Sequence, residues 1–227
     1  MRARLPETVA CVFDAYGTLF DFLSASDRCR DALGDKADAL GLLWRTRQLE
    51  YSWLRSLMGA HADFWQVTGE ALDFVMASLG ISNAALRDRL MDLFLRIEAF
   101  PDARRVLEAL KRAGRPAHIL SNGSPAMLES AMKSASVEGL LQGLISVESA
   151  GVYKPHRSAY ELVTRNLKLP PERICFVSSN GWDAAGAAHF GFLAVWVNRT
   201  DAPRENLPGR LAAEIRDLHA LPALLGL

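Results

Sequence analysis

The sequence predicts an α/β protein, a Rossmann-like parallel sheet with helices on both faces, interrupted by an inserted helical cap. Three observations carry that prediction. From residue 98 onward, short apolar runs alternate with amphipathic segments, the pattern of strands and crossover helices. Residues 21–97 instead show helical periodicity and no strand signal. An apolar run closes on Asp14 in "VFDAYGTLFD" just before that helical block, so one strand precedes the insertion. The expected division is a catalytic core of residues 1–20 and 98–227 with a cap of 21–97.

In chain order, the first strand ends at Asp14 and gives way to a loop of small residues, Ala15, Gly17 and Thr18, where Gly17 permits close backbone approach and free amides can hold an anion. In the cap, "ALGLLWRTRQLEYSWLRSLM" places Leu40, Leu43, Trp44, Tyr51, Leu54 and Met58 at helical spacing. Two further helices are expected over "DFWQVTGEALDFVMASLG" and "NAALRDRLMDLFLRIEAF", punctuated by Gly80 and Pro101. "DARRVLEALKRAG" reads as a helix with Asp102 as N-cap and Gly114 as stop. The strands "PAHILSNG", "GLISVESA", "RICFVSSN" and "FLAVWVN" are continuous apolar runs, as strands buried on both faces should be.

Ligands of open α/β sheets bind at the carboxyl ends of the strands. Those ends carry Asp14, then Ser121 and Asn122, then Lys154 beyond the third strand, then Ser178, Ser179 and Asn180, with Asp183 close behind. The chain has 227 residues, half of them hydrophobic, with 26 basic and 26 acidic residues and no basic block. Neither nucleic acid nor an anionic membrane is an expected partner, so a small molecule is. The apolar start is too short for a secretory signal or a membrane span, which points to a cytoplasmic protein. Cys11, Cys29 and Cys175 have no CxxC spacing and read as core residues, with a catalytic thiol at Cys175 the weaker alternative.

These motifs resemble the haloacid dehalogenase superfamily, whose nucleophilic Asp closes the first strand in a DxDxT pattern. Asp14 and Thr18 match that pattern, Ser121 matches the second motif, Lys154 in "YKP" the third and "SSNGWDAAGA" the fourth. The sequence departs from the phosphatase members at Tyr16, Ser178 and Asn180, where those enzymes carry a general acid and magnesium-holding acids. A magnesium site wants several oxygen ligands including carboxylates. The resemblance therefore implies no metal and no cofactor, with Lys154 in the cation's place. "FDAYGTLFD", "LWRTRQLEYSWLR", "LSNGS", "YKPHRSAYEL" and "SSNGWDAAG" resemble the L-2-haloacid dehalogenase branch in particular.

That branch implies a substrate, a 2-haloalkanoic acid, with halide as product and Asp14 as nucleophile. Arg45 and Asn122 are the expected halide donors. Ser121 and the amides near Ala15, Tyr16 and Asn122 are expected on the substrate carboxylate. Lys154 is expected to neutralise the nucleophile's neighbourhood and favour its ionised form. Asp183, helped by Thr18, Ser178 and Asn180, is the expected activator of water, and Tyr160 has the spacing of a functional tyrosine. Leu49, Phe64 and Trp182 are expected as an apolar wall, Leu49 sharing a helix face with Arg45. Bland readings stand beside each: a cap-surface arginine, a first-turn Asp183, packing aromatics. The rivals are a strained-ring hydrolase of the azetidine-2-carboxylate type, a magnesium phosphatase, and a catalytically retired binding protein. A homodimer is expected from the resemblance and from apolar residues beyond one stripe of the cap helix.

Overall fold

Short β-branched and apolar runs assemble into a six-stranded sheet whose order follows from right-handed crossovers on either side of the first strand. The computed structural model describes Leu5 and residues 7–227; the charged start on which the signal-peptide expectation partly rests lies outside the described residues. The first strand, β1 (Ala10–Phe13), is wholly buried. The chain then makes one rung of a small ribbon, β2 (Phe20–Asp21), and enters five helices: α1 (Ser24–Asp27), α2 (Arg30–Leu33), α3 (Ala37–Met58), α4 (Phe64–Ser78) and α5 (Ala84–Leu95). It returns through β3 (Glu98–Ala99), which pairs antiparallel with β2, Phe20 opposite Ala99 and Asp21 opposite Glu98.

The remainder alternates helix and strand: α6 (Pro101–Arg112), β4 (Ala117–Ser121), α7 (Pro125–Ser134), β5 (Gly143–Ser146), α8 (Arg157–Leu167), β6 (Ile174–Ser178), α9 (Gly181–Phe190), β7 (Leu193–Val197), β8 (Ala213–Ile215) and α10 (Leu221–Leu224). All pairings in the large sheet are parallel, in the order β5-β4-β1-β6-β7-β8. In that order the chain runs outward from β1 on one side, then crosses back to lay β6 against β1 on the other. The reversal opens a crevice at the carboxyl ends of β1 and β6.

Helix starts follow capping chemistry. Asp63 accepts the Gln66 amide at 2.9 Å and Asn83 the Leu86 amide at 3.0 Å, opening α4 and α5. One expectation needs correction. Pro101, not Asp102, begins α6, with Phe100 at the cap position. The Asp102 carboxylate instead takes both arms of Arg199, at 2.9 and 3.0 Å, and the Leu218 amide at 2.8 Å. On α3, Leu40 and Trp44 are buried, but Leu43, Leu54 and Met58 are exposed, because the apolar positions fall on two stripes and only one faces inward. Strand β8 carried no readable pattern, being three residues long with a polar centre at Glu214.

Arg199 also donates to the Thr18 carbonyl at 3.0 Å, so the Asp102–Arg199 pair ties the loop after β1 to the core. Burial pushes the Asp102 carboxyl up, but Arg199 and the Leu218 amide outweigh it and hold the pKa below the ordinary value. A lowered carboxylate pKa contributes stability above the unfolded value of about 3.9, lost as pH falls through the folded one. Asp102→Asn is expected to cost about 2–3 kcal/mol in urea unfolding at neutral pH. The difference from the wild type should shrink as both are titrated into acid; a difference that stays constant with pH would contradict this.

Candidate active site

Three chain segments meet at one carboxylate, its own loop through Thr18, the segment of Lys154, and residues 177–180 at the end of β6. Register sets the first: the Asp14 amide donates to Val177 at 2.9 Å, which sets the acid beside the end of β6. Asp14 Oδ1 accepts from Lys154 Nζ at 2.8 Å; Oδ2 accepts from Asn180 Nδ2 at 2.7 Å and Thr18 Oγ1 at 3.0 Å, with Ser178 Oγ at 3.5 Å. The Thr18 oxygen accepts the Ser179 amide at 2.8 Å, and its proton is in reach of Asp14 Oδ2 at 3.0 Å and of Ser179 Oγ at 3.2 Å. Gly17, at φ +89°, makes that loop possible; a Cβ there would strain the backbone and crowd Ser179 Oγ at 3.3 Å.

Lys154 is 1% exposed and lies between two carboxylates, with Asp183 Oδ2 at 2.7 Å on its other side and the Leu120 carbonyl at 3.3 Å. Burial alone would pull the ammonium down, but Asp14 and Asp183 outweigh it and hold its pKa above the ordinary lysine value. Asp183 is fully enclosed, and its other oxygen accepts from the Tyr160 hydroxyl at 2.8 Å. Burial pushes Asp183 above the usual carboxylate range, against the pull of Lys154. Burial and Asp183 also push Tyr160 far up, keeping it a neutral donor. The ammonium fills the place between the two acids, and no three His, Cys, Asp or Glu side chains converge among the described residues. This donor set does not fit a divalent cation, which wants carboxylate oxygens free to face it.

The cap supplies the second cation. Arg45 from α3 reaches across to Asn180 Oδ1 at 3.4 Å, donates to Gln48 Oε1 at 2.8 Å, and lies over the Phe22 ring at 5.1 Å. Burial pulls its pKa down and Asp14 opposes that; a guanidinium stays charged under such a shift. Two acids and two cations thus balance in one dry cluster, with Asn180 bridging Arg45 to Asp14.

Donors remain for an anionic ligand. Among the described residues, the amides of Ala15, Tyr16 and Asn122 have no protein acceptor. Ser121 Oγ accepts the Gly123 amide at 3.1 Å, which leaves its proton to give. The Asn122 side chain spends its oxygen on the Lys154 amide at 3.0 Å, so only its NH₂ group is available to a ligand. Of the expected apolar wall, Trp182 is half-buried and meets Trp53 edge-on at 5.3 Å. Phe64 is fully buried against Tyr16 and Tyr153, and Tyr16 stacks on Phe94 at 5.2 Å. Leu49 is half-buried one turn beyond Arg45.

Gln48, Trp53 and Tyr153 were not legible as site residues in the sequence, and Ser179 had a place at a strand end but no role. Gln48 holds Arg45, Trp53 donates to the Lys154 carbonyl at 3.1 Å, Ser179 orients Thr18, and Tyr153 docks its hydroxyl on the Ala62 carbonyl of the cap. Gln48 had a signal, as a polar residue in the inward stripe of Leu40 and Trp44. Cys175 is fully buried beside Cys11, and the hydrogen bond its thiol gives to Cys11 together with burial pushes that thiol well up, so it is no nucleophile.

The assembly is a carboxylate with an ammonium, a guanidinium and unpaired amides around it, an arrangement chemically suited to displacement at a carbon bearing an anionic group. The haloacid dehalogenase-like hydrolase family model matches residues 8–191. The chain is 45% identical over 217 residues to (S)-2-haloacid dehalogenase 4A of Burkholderia cepacia, covering 95% of this chain and 94% of that one. It is 41% identical over 191 residues to haloacetate dehalogenase H-2 of Moraxella sp. (strain B), covering 84% and 85%. The L-2-haloacid dehalogenase of Xanthobacter autotrophicus, solved with chloropropionic acid covalently bound, superposes with a TM-score of 0.88 at 36% identity, covering 96% of this chain and 98% of that one. Matches of that extent, over a site built in this way, place the chain among the haloacid dehalogenase-like hydrolases, in the (S)-2-haloacid dehalogenase family.

Proposed function

We propose that the protein hydrolyses (S)-2-haloalkanoic acids to (R)-2-hydroxyalkanoic acids and halide without a cofactor. The observation that carries this reading is Asp14, oriented by Lys154, Asn180 and Thr18 and faced by Arg45 from the cap. The substrate carboxylate is received by the amides of Ala15, Tyr16 and Asn122 and by the Ser121 hydroxyl, with its side chain toward Trp182, Phe64 and Leu49. An Asp14 oxygen attacks C2; the new C–O bond forms as the C–halogen bond breaks, and the electron pair leaves with the halide toward Arg45 and the Asn122 amide group. In-line attack inverts C2. Water then adds to the Asp14 carboxyl carbon and gives one proton to Asp183; the C–O bond to the substrate breaks, the departing alkoxide takes that proton back from Asp183 to become the hydroxy acid, and the Asp14 carboxyl loses the other proton to solvent. Orientation is the main source of rate, because a carboxylate is a weak nucleophile and effective molarities can reach about 10⁵ M or more.

Halide release from L-2-chloropropionate with chelator present tests the activity. A single turnover in water enriched in heavy oxygen tests the route: the label should enter Asp14 and be missing from the first hydroxy acid released. Label in that first product would mean direct attack by water.

The apolar face left outside on α3, with Leu54, Leu57 and Met58 at 51%, 84% and 75% exposure, is read as the surface for a second copy of the chain. Sedimentation should show a dimer that Leu57→Glu converts to monomer; a wild-type protein that is monomeric at working concentration would refute it. The enclosed, unpaired cysteines suit a cytoplasmic protein. No helix among the described residues is long and apolar enough to cross a membrane.

A further inference from the structure

We infer that Gln48, locked by Thr68, is a positioning residue that aims the Arg45 guanidinium at the leaving halide without drawing off its charge. This inference rests on the dehalogenase reading.

Gln48 and Thr68 are buried, at 1% and 0% exposure, in the inward stripes of α3 and α4. The proton count fixes which way the amide points. The Thr68 hydroxyl has one proton, and it goes to the Phe64 carbonyl at 2.6 Å. Thr68 Oγ1 must therefore accept from Gln48, whose Nε2 lies at 2.6 Å. That leaves Gln48 Oε1 for Arg45 Nη1 at 2.8 Å, and a flipped amide would face donor to donor at the arginine and acceptor to acceptor at the threonine. The Thr68 carbonyl is held in turn by the Trp44 indole at 2.8 Å. Arg45 thus has one arm on Gln48 and the other on Asn180, while its Nε is enclosed with no partner among the described residues. Phe22, Trp44 and Phe94 wall the same narrow crevice as Arg45 and Gln48. In such a dry place a fixed donor acts strongly on developing negative charge.

The choice of amide matters as much as its orientation. A carboxylate at this position would hold the guanidinium equally well and neutralise it. A neutral acceptor fixes the geometry and leaves the whole positive charge for the halide. When that help is weakened, cleavage should depend more on the leaving group's own ability to depart, so chloride should suffer more than bromide.

The experiment is single-turnover halide release from L-2-chloro- and L-2-bromopropionate by the wild type, Gln48→Glu, Gln48→Leu and Thr68→Val, with a thermal melt to confirm each fold. Chloride release is expected to slow about 10²-fold in both Gln48 variants and about tenfold in Thr68→Val, with the bromide-to-chloride rate ratio rising several-fold in all three. Equal slowing for both halides, or no slowing, would overturn the inference. A readout free of turnover is the exchange-protected Arg45 Nε–H signal in nitrogen-15 spectra. It should persist in Gln48→Glu and vanish in Gln48→Leu; persistence in Gln48→Leu would overturn the positioning role. Wild-type protein that releases no halide overturns the dehalogenase reading, and the Nε–H comparison still decides the positioning.

Discussion

Asp14→Asn should release no halide from any 2-haloalkanoic acid, a loss of at least about 10⁴-fold or about 5.5 kcal/mol of barrier. An amide keeps the shape of the side chain but offers no anionic oxygen to attack carbon. The introduced amide would still accept from Lys154, and its NH₂ group would meet the Thr18 hydroxyl and the Asn180 amide, both of which now donate to Asp14 Oδ2. Some local rearrangement follows, so a melt must accompany the rate. Intact mass should show the variant still carrying its amide and forming no adduct with substrate. Wild-type-like turnover by a protein of confirmed amide mass would refute a covalent route through this residue.

Lys154→Met carries the second large effect, on stability and rate together. It removes the cation between Asp14 and Asp183, which are 4% and 0% exposed, and leaves two enclosed carboxylates facing each other. Removing one partner of a buried ionic cluster costs about 3–5 kcal/mol. The pH dependence gives the sign. In the wild type the raised Lys154 pKa contributes stability below the ordinary lysine value, lost only as pH rises through the folded one. In the variant the two acids lose the ammonium between them and keep only Arg45 nearby, so burial and repulsion favour a proton shared by the pair. Stability should then be greatest in acid and fall as pH rises toward neutral. Urea titrations from about pH 4, near the ordinary carboxylate range, to about pH 8 would show the variant losing more stability than the wild type. Parallel curves would mean that Lys154 is not the counter-charge of the pair.

Much of this architecture was readable because it rests on short-range rules. Parallel strands buried on both faces must be apolar throughout, and β1, β4, β6 and β7 announce themselves that way. The reversal of strand order directs attention to Asp14 and the residues after Ser178, and the structure brings Asp14, Thr18, Lys154, Ser178, Asn180 and Asp183 within one hydrogen-bonded cluster. What escaped notice is the part that depends on distant segments. Arg199 and Asp102 are 97 residues apart, and nothing local in "FPDARR" distinguishes an N-cap aspartate from one half of a buried ion pair. Which stripe of α3 faces inward is hidden for a similar reason, since periodicity marks apolar positions without saying which of them find a partner. Gln48 lay in plain view, a polar residue where the inward stripe calls for an apolar one. Such a break in pattern is expected where function asks for it.

The ribbon of β2 and β3 has one more consequence. Because Asp21 faces Glu98 and Phe20 faces Ala99, the chain departs from the sheet-bearing half and comes back at a single point, like a detour that rejoins the road where it left. The detour can lengthen, shrink or be replaced without rerouting any strand. Its departure point lies only a few residues beyond Asp14. A lineage could therefore redesign which molecules reach Asp14 by rewriting one uninterrupted stretch of sequence, while the reacting carboxylate and its partners stay untouched.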